Sequence, residues 1–275
     1  MKPAAFDYEK PPNIDLAVKA LTAAVDSRVI AGGQTLGPML NMRLATPSRL
    51  VDIDAIASLK RIEKRAGKLI LGAAVTHAML EDRIDNSPTG RLLSEVASGI
   101  AFRAIRNRGT IGGSMAHADP AADWVTAMTL LNARINVVGL KGVRQVSVVD
   151  FFKGAFATAL SAGEMIESIE IDELSPEARC GYYKICRKIG EFPDALGAVV
   201  LDPVRRFARV VAGALEGPPA LLTALARAVA RQGTAAADLP TVKAALRSVA
   251  PDLDAVDTQI HAVAVHRAII KAVAQ

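Results

Sequence analysis

Cysteine is nearly absent: 275 residues hold two, Cys180 and Cys186. Separated by five residues in CGYYKIC, they form neither a redox CxxC pair nor a zinc pair, and they cannot supply the four ligands of an iron–sulfur cluster. Aromatic residues make up only 4% of the chain. The net charge of +5 therefore does not point to nucleic acid, because Lys and Arg are dispersed outside the RNR run, Arg106 to Arg108, and few aromatics sit between them. No apolar run reaches the 18 to 20 or so residues that span a bilayer, and MKPAAFDYEKPPNID lacks the basic-then-apolar layout of a signal peptide. No transmembrane segment is expected, and the expected location is cytoplasmic. The four histidines, His77, His117, His261 and His266, have no carboxylate partner at metal-ligand spacing, so no metal site is expected. Ser114 and His117 lack the G-x-S-x-G elbow of a hydrolase, and no residue stands out as catalytic.

What is present is aliphatic: the hydrophobic share is 51%, so the core must be built from Ala, Val, Leu and Ile. A chain of this length buries roughly 75% of its unfolded surface without needing metals or disulfides to fold. FDYEKP reads as a short strand, and Asn13 as the cap of a helix from about Ile14 to Val25. RVIAGG is a strand, Arg28 to Ala31, that runs straight into Gly32 and Gly33. LVDI and KLILGAAV are further strands, Thr76 caps a helix over HAMLEDRI, and Arg91 to Ala97 lie in another. AADWVTAMTLLNA has helical length and composition. RINVVGL and VRQVSVVDF look like a strand pair across a glycine turn. Ser175 and Pro176 suggest a linker after EMIESIEIDELSPEA. Beyond it RCGYYKICRKI, DALGAVVLDP and RFARVVAGALEG read as an antiparallel sheet. Three Ala-rich helices follow, and in the last Val256, Ile260, Val263, Ile270 and Val273 share a face.

Two glycine-rich loops carry the chemistry, AGGQTLG from Ala31 to Gly37 and GTIGGS from Gly109 to Ser114. Free backbone N–H groups at such loops can face an anion, and glycine lets the backbone come close. Neither loop is a G-x-G-x-x-G or G-K-[ST] fingerprint, so tight glycine turns explain them equally well in isolation. A carboxylate such as Asp123, beyond the second loop, would accept from sugar hydroxyls and repel a phosphate. Asp119 reads as the cap of a helix beginning near Ala121. The run RAIRNR would be a solvated face, a dock for an acidic partner or a counter-charge to phosphates.

Taken with their flanks, AGGQTLGPMLNMRLATPSRLVDI and IRNRGTIGGSMAHADPAADW closely resemble the paired FAD-binding motifs of the flavoprotein subunits of molybdenum hydroxylases. That family includes the medium subunit of aerobic carbon monoxide dehydrogenase and the flavin domain of xanthine dehydrogenase. GAAVTHAMLE and GYYKICRK also resemble family segments, so the resemblance runs in order along essentially the whole chain.

The resemblance implies an α+β fold: a two-part N-terminal FAD-binding α/β domain of the PCMH type, residues 1–172 with subdomains of about 1–55 and 56–172, and a C-terminal antiparallel sheet with helices, 177–275. It implies that Ala31, Gly32, Gly33, Gln34 and Thr35 grip the FAD pyrophosphate from one side. Gly109, Thr110, Gly112, Gly113 and Ser114 grip it from the other, through amides and hydroxyls. Asp123 would bond the adenosine side, while Ile166 and Lys184 would lie near the flavin ring, where a cation favours the reduced anion. The family often has His at Gln34 and Asn at Ser114, and an aromatic followed by small apolar residues where EFPDA, Glu191 to Ala195, stands, so flavin shielding is expected to differ there.

As implied partners, a large subunit carries the molybdenum–pterin centre and a small one the [2Fe-2S] clusters, in a dimer of heterotrimers. Two rival readings are a self-contained flavin oxidoreductase, with Tyr182, Tyr183 or Glu191 as its proton donor, and a scaffold that has lost its flavin.

Overall fold

The computed structural model describes residues 2–82 and 84–275. The chain begins with β1 (Asp7–Glu9), α1 (Ile14–Thr22), β2 (Ser27–Ile30), α2 (Leu36–Asn41) and β3 (Arg49–Asp52). The three strands form a parallel sheet in the order β1-β3-β2. Asn13 caps α1 as its sequence position requires, accepting from the Leu16 N–H at 2.9 Å. Because the strands are parallel, their carboxyl ends emerge on one edge, the usual place for a ligand crevice. Ala31 to Thr35 leave β2 at that edge.

Next come β4 (Ile62–Arg65), β5 (Lys68–Gly72), α3 (His77–Glu81), α4 (Pro88–Ser98), α5 (Arg103–Arg106), α6 (Ile111–His117), α7 (Asp123–Leu130), β6 (Arg134–Gly139), β7 (Gly142–Ser147), α8 (Val148–Phe151), β8 (Phe152–Gly154), β9 (Ala157–Thr158) and β10 (Met165–Asp172). A five-stranded antiparallel sheet results, ordered β4-β5-β10-β6-β7. The last part is β11 (Arg179–Ile185), β12 (Ala195–Asp202), β13 (Phe207–Gly213) and β14 (Ala220–Leu221), an antiparallel sheet in chain order, with α9 (Thr223–Gln232), α10 (Leu239–Val249) and α11 (Ala255–Val273). The fold is therefore α+β, with an antiparallel sheet and helices at the C-terminal end. One apolar core contains Leu71, Ile135 and Ile169 on one side of residues 173–176 and Leu196, Val200 and Val211 on the other.

Four local expectations need correction. Within VRQVSVVDF the strand stops at Ser147, because Ser147 Oγ accepts from the Asp150 N–H and donates to its carboxylate, starting α8. Asp119 does not cap a helix at Ala121: it accepts from the Ala121 N–H in a turn, and the helix begins at Asp123. Ser175 is not a free linker, since it is buried with its N–H and hydroxyl donated to Asp202. The buried face of α11 is His261, Ala262, Val265, Ala268, Ile269 and Ala272, while Val256 is 68% exposed. The sheet decides this. A Cβ at Gly181 or Gly197 would stand 1.9 Å from the Ala268 carbonyl oxygen or 2.4 Å from that of Ala264. The helix backbone thus lies directly on the sheet, and only its small-residue face fits there.

Candidate functional site

Gly33 leaves β2 with φ +70°, a conformation that glycine adopts without strain. The chain then enters α2, but Thr35 makes no side-chain cap bond. Among the described residues, no protein acceptor takes the N–H groups of Gly32, Gly33, Gln34 or Thr35. Gln34 and Thr35 are exposed, and Ala31 to Gly33 partly so. The Gln34 side chain folds back on the Gly32 carbonyl at 3.3 Å. Four unpaired amides thus stand together at the end of a parallel strand, donors available to an anion.

The second loop is built differently. GTIGGS is the start of a helix, with Thr110 as N-cap accepting from the Gly113 N–H at 3.1 Å. Four of its other five amides are also spent: Gly109 donates to Ile105, Ile111 to Val75, Gly112 to Ala73 and Ser114 to Thr110. The expected second set of free amides is not what this segment presents. It presents an exposed glycine, Gly113, and the half-buried Ser114.

The glycines have separable reasons. A Cβ on Gly32 would lie 1.9 Å from the Arg108 carbonyl oxygen and 2.9 Å from the Gly109 Cα, so the two loops touch backbone to backbone there. Gly109 is pressed on the His77 ring and Gly112 on the Ala73 backbone, each within 3 Å of where a Cβ would stand. Of the glycines in the second loop, Gly113 alone faces outward; its Cβ would meet only Thr110 Oγ1, at 2.9 Å.

Asp123 and Lys184 are brought together. The Lys184 ammonium lies 3.0 and 3.1 Å from the two Asp123 carboxylate oxygens and donates to the Gly99 carbonyl at 3.1 Å. The Tyr182 hydroxyl donates to Asp123 Oδ1. The pair is nearly sealed, with side-chain exposures of 10% for Lys184 and 5% for Asp123. Burial pushes the Asp123 carboxyl up, opposed by Lys184, by Tyr182 and by the backbone amide of Asp123 itself. Burial, reinforced by the Asp123 charge, raises the Tyr182 phenol well above 10. Ile166 is in β10 beside a register shift and is buried in the core at 4% exposure, so its side chain packs inward.

The RAIRNR run also resolves. Arg103 pairs with Glu81 and Asp82, while Arg106 pairs with Glu81 and donates to the Ile100 and Ala101 carbonyls. Both are committed to holding α5 against α3. The Arg108 side chain is exposed, with no hydrogen bond or ion pair among the described residues.

Residues 4–173 match the family model described as the FAD binding domain in molybdopterin dehydrogenase. The chain belongs to this family. It is 35% identical over 205 residues to the 6-hydroxypseudooxynicotine dehydrogenase complex subunit alpha of Paenarthrobacter nicotinovorans, covering 74% of this chain and 69% of that one. It is 37% identical over 202 residues to the carbon monoxide dehydrogenase medium chain of Afipia carboxidovorans, covering 73% and 70%. Quinoline 2-oxidoreductase from Pseudomonas putida 86 contains a chain of the same fold, with TM-score 0.87, 31% identity and coverage of 100% of this chain and 99% of that one. In the family's terms this is an oxidoreductase chain: the FAD-binding medium subunit, which transfers electrons within a heteromeric molybdenum hydroxylase complex.

Neither the contacts of His77 nor the bond between Tyr182 and Asp123 was anticipated; Tyr182 stood only as a proton-donor candidate. His77 Nδ1 accepts from the sole tryptophan, Trp124 Nε1, at 3.0 Å, and the His77 N–H donates to the Gly109 carbonyl. Its place directly after Thr76, in a short segment resembling the family, was the available signal. Tyr182 shares a strand face with Lys184, two residues on, and that spacing could have linked them.

Proposed function

We propose that this chain holds FAD between Gly32–Thr35 and the first turn of α6, and passes electrons from a [2Fe-2S] partner to an external acceptor. The observation that carries the reading is the set of four unpaired amides of Gly32 to Thr35 at the carboxyl end of β2, in a chain of this family. They fit a pyrophosphate, which needs donors and no side chain in the way. The outward face of Gly113 and the hydroxyl of Ser114 would bound the same anion from the α6 side, and Lys184 would lie near the flavin ring, as the family resemblance implies. FAD, when bound, supplies the electron-carrying chemistry that the side chains lack, while the protein binds, orients and tunes it.

The substrate-oxidising molybdenum–pterin centre belongs to a large partner and the [2Fe-2S] clusters to a small one, in a dimer of heterotrimers. Among the described residues no group of three or more His, Cys, Asp or Glu is placed to hold a metal ion. Among the described residues no helix is long and apolar enough to cross a membrane; the proposed location of the complex is the cytoplasm. A self-contained oxidoreductase is disfavoured because two of its three proton-donor candidates are engaged, Tyr182 by donating to Asp123 and Tyr183 by accepting from Arg267, whose guanidinium lies 5.1 Å from the ring centroid, while the third, Glu191, is exposed to solvent.

The test is anaerobic reduction. The chain reconstituted with FAD stays oxidised when given organic substrate alone, and is bleached within seconds once both partner subunits are added. Turnover of an organic substrate without partners overturns the reading. A second expectation concerns Gly113→Val: the variant folds with unchanged α-helical circular dichroism but loses flavin absorbance on gel filtration, because the added side chain occupies the outward face. Full flavin retention would remove α6 from the site.

A further inference from the structure

The geometry of the buried pair departs from the role that the family resemblance implies for Asp123. Oδ1 accepts from the Tyr182 hydroxyl and from Lys184, and Oδ2 accepts from Lys184. With 5% of the side chain exposed and three side-chain bonds already on it, little of this carboxylate is left for a sugar hydroxyl. Lys184 is equally committed: its three ammonium protons face Asp123 Oδ1, Asp123 Oδ2 and the Gly99 carbonyl. Asp123 also opens α7, where the helix dipole favours an anion. The pair is thus fixed from three directions: by β11 through Tyr182 and Lys184, by the start of α7, and by the carbonyl that ends α4. The other titratable groups that act on the Tyr182 hydroxyl are Glu95 and Cys186.

We propose that Asp123 is a positioning residue that fixes the site and the net charge of Lys184, and not a contact to the cofactor's adenosine sugar. The proposal rests on the reading that Lys184 stands toward the flavin ring. Lys184 then acts on the ring through space as a held charge, since it has no proton left to donate. Asp123 offsets part of that influence by lying against it, and Tyr182 keeps Asp123 in register. Neutralising the acid leaves the ammonium uncompensated and favours reduced flavin.

The experiment measures the flavin reduction potential by dye equilibration at pH 6 in the assembled holoprotein. Asp123→Asn, which preserves shape and an acceptor for Tyr182, raises the ratio of reduced to oxidised flavin about tenfold at fixed dye potential, about 30 mV for a two-electron couple. In a Lys184→Met background the same substitution shifts the ratio less than about threefold, because without the ammonium the buried carboxyl takes up a proton. An equal shift in both backgrounds overturns the proposal. So does a tenfold loss of FAD affinity in Asp123→Asn with no change of potential, the signature of a sugar contact. A second arm needs no variant: wild-type protein binds FAD lacking the adenosine 2′- and 3′-hydroxyls within about threefold of FAD itself, and a tenfold loss overturns the proposal. Failure of the underlying site reading looks different, since wild-type protein would then retain no flavin at all.

Discussion

Gly32→Ala abolishes flavin retention, although the substitution adds one methyl group to a loop that lies at the surface. The Cβ would stand 1.9 Å from the Arg108 carbonyl oxygen, 2.5 Å from its carbon and 2.9 Å from the Gly109 Cα. All three are backbone atoms, so no rotamer change relieves the overlap. Restoring ordinary contact requires the two loops to part by about 1.5 Å. Overpacking of this kind costs about 1–3 kcal/mol of stability, and the larger effect falls on the cofactor. Hydrogen bonds to a charged group contribute about 1.5–3 kcal/mol each. Losing two of the four amide contacts at Gly32 to Thr35 therefore removes a hundredfold or more in affinity. Gly37→Ala is the control. It lies in the same motif, but its Cβ would have nothing within 4 Å, and in the first turn of α2 alanine is the better helix former. That variant keeps a full complement of flavin by absorbance ratio and equilibrium dialysis, whereas Gly32→Ala elutes colourless. If Gly32→Ala retains stoichiometric FAD, the loop contact is not what assembles the site.

How much of this was legible in the sequence depends on the range of the forces involved. Caps are local, so Asn13 and Thr76 read correctly: each accepts from an amide three residues on. Strands backed by a continuous aliphatic run, such as β12, were equally plain. The α11 face was not, because Ala on a helix is ambiguous until one knows that Gly181 and Gly197 lie beneath it. GTIGGS read as a loop because two glycines are poor helix formers. Gly112 is instead in a helical turn because a larger residue would strike Ala73. Asp123 was recognised as important from its motif, but its partners come from β11, 59 and 61 residues along the chain. No periodicity within either segment reports that pairing.

Acid should weaken the second loop through His77, with the sign set by which state binds the proton. His77 is buried, its pKa lowered from 6.5 to about 4, first by burial and then by the charge of Arg106. Its Nδ1 accepts from the Trp124 indole N–H; in the imidazolium both nitrogens carry protons, and the contact would become donor against donor. Between pH 6.5 and 4 the unfolded chain therefore binds a proton that the folded chain refuses. Stability from this group is fully present above about 6.5 and is lost as the pH falls toward 4. A shift of this size corresponds to about 3 kcal/mol. The consequence is local as well as global, because the His77 N–H holds the Gly109 carbonyl and its ring lies under Gly109. Protonation therefore pushes on the segment between α5 and α6, from which Thr110 and Gly113 present the α6 face of the site. Urea unfolding of the apoprotein at pH 7.5, 5.5 and 4.5 measures the effect, with emission from Trp124, the only tryptophan, reporting the same contact. His77→Gln keeps an acceptor for the indole but cannot titrate. The variant is less stable than wild type at pH 7.5, and the gap narrows by about 2–3 kcal/mol by pH 4.5, since carboxylate titrations are common to both and cancel in the difference. A gap that stays constant across this range would mean that His77 exchanges protons with solvent freely in the folded state, and that burial beneath Gly109 does not set its charge.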